Sequence, residues 1–132
     1  MAEDAATRHQ SRERALALLY EAEMKGESAS DVIAALPVAP DPFARALVLG
    51  TEARQADADE RVSAASVGWP LERMAVVDRL VLRMAAAELL DSDGPPVAVV
   101  IDEAVELAKT FSTDESGRFV NGILSTIARD VR

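Results

Sequence analysis

The sequence predicts an all-α protein, two small helical bundles packed into one domain, and three observations carry that expectation. Apolar residues recur at three- and four-residue spacing along most of the chain, as in helices with one buried face. No segment alternates apolar with polar residues as a half-buried strand does. The apolar content is high, 49% of 132 residues, but aromatics are only 4%, so the core is expected to be built from Ala, Val and Leu, which suits close helix packing.

Ala15, Leu18, Leu19 and Ala22 fall at i, i+3, i+4 and i+7, which predicts an amphipathic helix over residues 9 to 25 that stops at Lys25-Gly26. "SASDVIAAL" offers Ser28 or Ser30 as the N-cap of a short second helix, ended by Pro37. Asp41-Pro42 reads as an N-cap followed by proline at the first helical position. It opens a third helix from about 42 to 65 with Phe43, Ala46, Leu47 and Gly50 on its apolar face. Gly68 and Pro70 in "SVGWP" interrupt the pattern and mark the boundary between lobes at about 8–66 and 70–131. Val77, Leu80, Val81, Met84 and Ala85 make the next segment the central helix, closed by "DSDGPP". Pro96 starts a helix carrying Val100, Ala104, Leu107, Ala108 and Phe111 in register. Ser112 and Glu115 form a capping box for the last helix, whose stripe is Val120, Ile123, Leu124 and Ile127. The expected organisation is therefore a flexible stretch over residues 1–7 followed by a single domain over 8–132, with about three helices in the first lobe and three to four in the second.

Charge and composition exclude several functions. With 23 Asp and Glu against 14 Lys and Arg, the net charge is −9, too acidic for a general polyanion binder, which needs a broad positive field. There is no Cys, hence no disulfide, thiol nucleophile or thiolate metal site. The first residues lack an apolar signal region and no apolar run approaches the roughly 20 residues that span a bilayer, so a soluble cytoplasmic protein with no membrane contact is expected. No phosphate-cradling glycine loop, HExxH motif or second His is present, so no enzyme activity and no cofactor are expected. Asp102, Glu103 and Glu106 share neighbouring helix positions and are weighed as a cation site, but a solvated acidic face with Lys109 as ion-pair partner accounts for them better, and no metal is expected.

Two stretches resist a purely structural reading. "RHQSRER" places Arg8, His9, Arg12 and Arg14 at the start of the first helix, where positive side chains oppose the helix dipole. None of them lies on the apolar stripe, so the arginines are expected to be replaceable without loss of the fold. "RFVNGIL" puts Gly122 inside a helix, at a cost of about 1 kcal/mol relative to Ala. Close backbone packing against Gly122, or a bond from Asn121 to a neighbouring helix, is the expected reason. Phe119, at the edge of the stripe beside Arg118, is expected to be half exposed and free to stack, and Tyr20 lies off the centre of its own stripe.

Taken together, "RERALALLYEAE", "VDRLVLRMAAAELL" and "VAVVIDEAVELAKTFSTDESGRFVNGIL", in that order, resemble the NusB transcription antitermination family, in an actinobacterial style, from about Arg8 to Ile127. The resemblance implies two helical bundles and a non-enzymatic factor that binds the boxA sequence of ribosomal RNA leader transcripts. It acts together with NusE, a small-subunit ribosomal protein, in an antitermination complex on RNA polymerase. By the same resemblance Arg8, His9, Gln10, Arg12 and Arg14 are the main RNA contact, joined by Tyr20, Arg118 and Phe119. Tyr20, Asp78, Arg79 and Glu115 fall on the side of NusE. Where many relatives carry consecutive arginines this chain has His9 and Gln10. That departure, with the acidic charge, sustains an alternative: a helical interaction module, a homodimer or adaptor, with little RNA affinity of its own.

Overall fold

A computed structural model describes residues 2–132, with side chains described from residue 7. Every regular element in it is helical: α1 (Ala2–Lys25), α2 (Ala29–Ala34), α3 (Pro42–Ala53), α4 (Gln55–Ala65), α5 (Val76–Leu90), α6 (Val97–Phe111) and α7 (Asp114–Val131), with a single 3-10 turn at Leu71–Arg73. The all-α expectation holds. The expected flexibility over residues 1–7 falls largely outside the described side chains.

α5 is the central helix, touching α1, α3, α4, α6 and α7. That position requires apolar or small residues all round, and the run Leu80, Val81, Leu82, Met84, Ala85, Ala86 and Ala87 is buried throughout. α1 closes one side with Ala15, Leu18, Leu19 and Ala22 as the periodicity predicts, and α7 closes the other with Val120, Ile123, Leu124 and Ile127. Full burial of each such Leu or Ile stabilises the fold by about 1.5–3 kcal/mol relative to exposure. α1 stops at Gly26, whose φ of 65° only glycine adopts without strain.

The single third helix expected over 42 to 65 is two helices. Arg54, at φ −103° and ψ 11°, leaves the helical region and starts α4 in a new direction. α4 then lies chiefly along α5 and α7 rather than α3. The buried face of α3 is Ala44, Leu47, Val48 and Thr51, one position round from the expected stripe. Of that stripe, Ala46 is exposed and Phe43 and Gly50 are half-buried.

The caps differ in detail as well. Ser28 rather than Ser30 caps α2, accepting from the Asp31 N–H at 3.1 Å. Asp41 caps α3 as expected, accepting from Ala44 N–H at 3.0 Å. The capping box of α7 is Thr113 with Ser116, not Ser112 with Glu115, because Ser112 is still the last residue of the preceding turn. Phe111, expected in the core stripe, is the last residue of α6 and is 47% exposed.

The C-terminal end of α5 is closed by a residue 37 to 44 positions away from the carbonyls it binds. The Arg132 guanidinium donates to the carbonyls of Leu89 (3.1 Å), Glu88 (3.0 Å), Asp91 (2.8 Å) and Pro95 (2.7 Å), satisfying acceptors that a helix end leaves free. Gly94 is required in that turn, since a Cβ there would stand 2.9 Å from the Glu88 carbonyl oxygen.

Gly122 is not explained by either expected cause. It is exposed, a Cβ on it would meet nothing within 4 Å, and Asn121 accepts only from Ser125 on its own helix at 3.3 Å. Gly122→Ala should therefore raise stability by about 0.5–1 kcal/mol, read as a higher midpoint in thermal or urea unfolding.

Candidate nucleic-acid interface

The basic stretch lies well inside α1, because the helix begins at Ala2. Arg8 to Arg14 thus sit beyond the first turn, where the helix dipole has largely faded, and the expected electrostatic penalty does not arise. Along these seven residues exposure differs from one side chain to the next. Arg8, Gln10 and Arg14 are exposed, His9 is partly covered, and Ser11 and Arg12 are buried.

Arg12 is the main correction to the sequence reading. It is 2% exposed and its guanidinium grips Glu88 of α5, with Nη2 to Oε2 at 3.0 Å and Nε to Oε1 at 3.4 Å. Burial raises the Glu88 pKa above the usual carboxylate value, and the Arg12 charge pulls it back toward the ionised form. Arg12 is a structural ion-pair partner, so the arginines are not all replaceable without cost to the fold.

His9 is also engaged. Its Nδ1 donates to Glu103 Oε2 of α6 at 2.6 Å, and Nε2 lies 4.0 Å from Glu13 on the next turn. The bond to Glu103 raises the His9 pKa above 6.5, with the charges of Glu103, Glu13 and Glu106 adding to it against a smaller desolvation effect. Glu103 thereby leaves the acidic triple of α6, and no group of three or more metal-ligating side chains comes together among the described residues. The sign of the linkage follows from the raised pKa. The folded state holds the proton more tightly, so the pair stabilises fully below about pH 6.5 and its contribution fades as pH rises through the folded pKa. His9→Gln should lower the unfolding midpoint at about pH 6 and leave it close to wild type at about pH 9. A midpoint difference independent of pH would refute this.

Phe43, at the start of α3, underlies the basic patch. The guanidinium carbons of Arg8 and Arg12 stand 5.4 and 5.0 Å from its ring centroid, both within cation–π range. Ser11 Oγ donates to the α3 cap Asp41 at 2.8 Å and ties the two helices in register. The bond from Ala44 N–H, helped by Ser11, holds the Asp41 carboxyl below its ordinary pKa.

The remaining expected residues gather around the start of α5. Tyr20, 42% exposed, lines an open groove of about 380 Å³ with Glu13, Leu16, Ala17, Val77 and Phe111. Asp78 lines a neighbouring recess of about 360 Å³ with Trp69, Glu115 and Phe119, which is half-buried as expected. Arg118 is exposed beside Glu115 and Phe119. Asp78 and Arg79 do not pair with each other. Asp78 Oδ2 accepts from Ser116 Oγ at 3.1 Å, whereas Arg79 turns back to Glu23 of α1 at 2.6 Å. Asp78 Oδ1 and Arg79 Nε are buried without a hydrogen-bond partner.

Sequence reasoning did not find Phe43, Glu88, Glu103, Phe111 or Trp69 as parts of these surfaces. An exposed Trp in the "SVGWP" interruption was the one available signal, since a large aromatic in a turn has no helical stripe to occupy. No described helix is long and apolar enough to cross a membrane.

Fold and surface together define an all-helical protein built round one central helix, with exposed arginines on the first helix and a half-exposed aromatic rim beside it. Residues 9–129 match the NusB family. Among curated proteins the chain is similar to the transcription antitermination protein NusB of Pseudarthrobacter chlorophenolicus, 45% identical over 91% of each chain. The NusB of Saccharopolyspora erythraea is 46% identical over 92% of this chain and 86% of its own. Among solved structures, T. maritima NusB superposes with a TM-score of 0.83 at 34% identity, covering 93% of this chain and 91% of that one. A chain from a crystal structure of a plectonemic RNA supercoil gives a TM-score of 0.79 at 26% identity, covering 93% and 94%. The chain belongs to the NusB family.

Proposed function

We propose that this protein is a cytoplasmic transcription antitermination factor that binds boxA in ribosomal RNA leader transcripts together with NusE and acts on RNA polymerase without catalysing a reaction. The observation that carries the reading is the exposure of Arg8, Gln10 and Arg14 on a helix whose following turns are locked into the core. Guanidinium groups on a rigid helix suit phosphates and base edges of a single strand, and Arg118 with Phe119 extends that chemistry. A similar chain in a crystal structure of an RNA supercoil supports RNA as the ligand class.

NusE would dock on the rim formed by Tyr20, Val77 and Phe111 and by Asp78, Glu115 and Phe119. Apolar faces flanked by carboxylates suit a basic partner. Because His9 and Arg12 are held by carboxylates, few basic groups remain for RNA, so NusE would supply much of the affinity. The test is a titration of boxA-containing and scrambled single-stranded RNA against the protein, with and without NusE, at two salt concentrations. A boxA preference strengthened by NusE is expected. No preference under any condition would favour the alternative of a protein-only adaptor or homodimer.

A further inference from the structure

We propose that Phe43 is a positioning residue for RNA recognition, its ring acting as the platform that holds the Arg8 guanidinium ready to meet the strand. The inference rests on the RNA-binding reading and adds to it a residue on a different helix.

The basic side chains of the patch are held in two ways. His9 and Arg12 are gripped by carboxylates, Glu103 and Glu88, which cancel their charge as ligands for an anion. Arg8 instead stands over an aromatic face at 5.4 Å. A ring attracts a guanidinium through its quadrupole and leaves the charge and the N–H edge of the group available to phosphate or base. A platform of this kind orders a long side chain before binding and so reduces the entropy lost on complex formation.

The ring itself is fixed on three counts. It is half-buried against the core, it sits in the first turn of a helix whose cap Asp41 is bonded to Ser11 of α1 at 2.8 Å, and Arg12, pinned by Glu88, stands 5.0 Å from its centroid. Arg12 therefore supports the RNA surface indirectly. It holds the ring that orients its exposed neighbour one turn away.

The test compares Phe43→Leu, Phe43→Met and Phe43→Tyr in binding boxA single-stranded RNA by fluorescence anisotropy, in the wild-type and Arg8→Gln backgrounds, with thermal unfolding run in parallel. Loss of the ring should weaken binding about fivefold for Leu and Met, and Tyr should stay within about twofold of wild type. In the Arg8→Gln background the same substitutions should have less than about a twofold effect, since the platform then carries nothing. Wild-type affinity in a folded Leu or Met variant would overturn the proposal. So would an equal loss in both backgrounds, which marks a purely structural role. If the wild-type protein itself shows no RNA binding, the functional reading falls and this inference with it; if the wild type binds and the ring variants are indifferent, only the inference falls.

Discussion

Arg12→Ala should destabilise the protein by about 3–5 kcal/mol, the cost of leaving a buried carboxylate without its cation. That is about a fifth or more of the roughly 5–15 kcal/mol that holds a domain of this size together. The reason lies in Glu88, whose pKa burial already raises while Arg12 opposes the rise. Without the guanidinium, Glu88 must either stay charged in an apolar setting or take up a proton at a pH well above its normal value. Because the folded pKa then lies further above the unfolded one, the folded state binds the extra proton as pH falls, and the deficit shrinks. The Arg12→Ala deficit in urea unfolding is therefore expected to be largest at neutral and alkaline pH and smallest below about pH 4, where both states largely hold the proton. Adding Glu88→Leu should recover most of the loss, since removing both partners leaves no buried charge. A deficit below about 1 kcal/mol, or no recovery in the double variant, would show that the pair is not the anchor its geometry describes.

Arg12 also shows which features the sequence expresses and which it does not. Helical periodicity is local, so Ala15, Leu18, Leu19 and Ala22 announce their burial within one segment, and so do Val120, Ile123, Leu124 and Ile127. An arginine beside that stripe reads as polar and exposed. Its partner Glu88 is 76 residues away, and nothing near Arg12 records the pairing. The same holds for His9 with Glu103, 94 residues apart, and for Arg83 of α5, whose buried guanidinium takes both oxygens of Asp59 at 2.8 and 3.0 Å. The break at Arg54 was silent for a different cause. It contains no Gly or Pro, and the turn is imposed by the packing of α4 along α5 and α7 rather than by a backbone-breaking residue. Phe111 fits its stripe by spacing alone, but spacing does not say where the neighbouring helices end.

The acidic surface has a physical role in this arrangement. If the protein binds RNA as proposed, its net charge of −9 works against indiscriminate polyanion binding and leaves affinity to a few oriented contacts. On that reading selectivity depends on exposed arginines, whose removal costs little stability.

Replacing Arg8 and Arg14 together by Ala should lower the affinity for boxA RNA at least about tenfold at low salt and leave the unfolding midpoint nearly unchanged, within about 0.5 kcal/mol. Both side chains are exposed, and the Phe43 ring that Arg8 leaves behind is uncharged and only half-buried. If each contacts one phosphate, the slope of log affinity against log salt should become shallower by about 1.4, the counterion release of two single-strand contacts. Arg12→Ala offers the contrast on the same helix: a large loss of stability, with RNA affinity reduced only through the ring of Phe43 and the protein that remains folded. The two variants thus separate on two axes, unfolding midpoint and salt slope. An Arg8 and Arg14 double variant that binds boxA RNA with wild-type affinity and slope would remove α1 as the RNA contact and leave Arg118 and Phe119 of α7 as the surface to test.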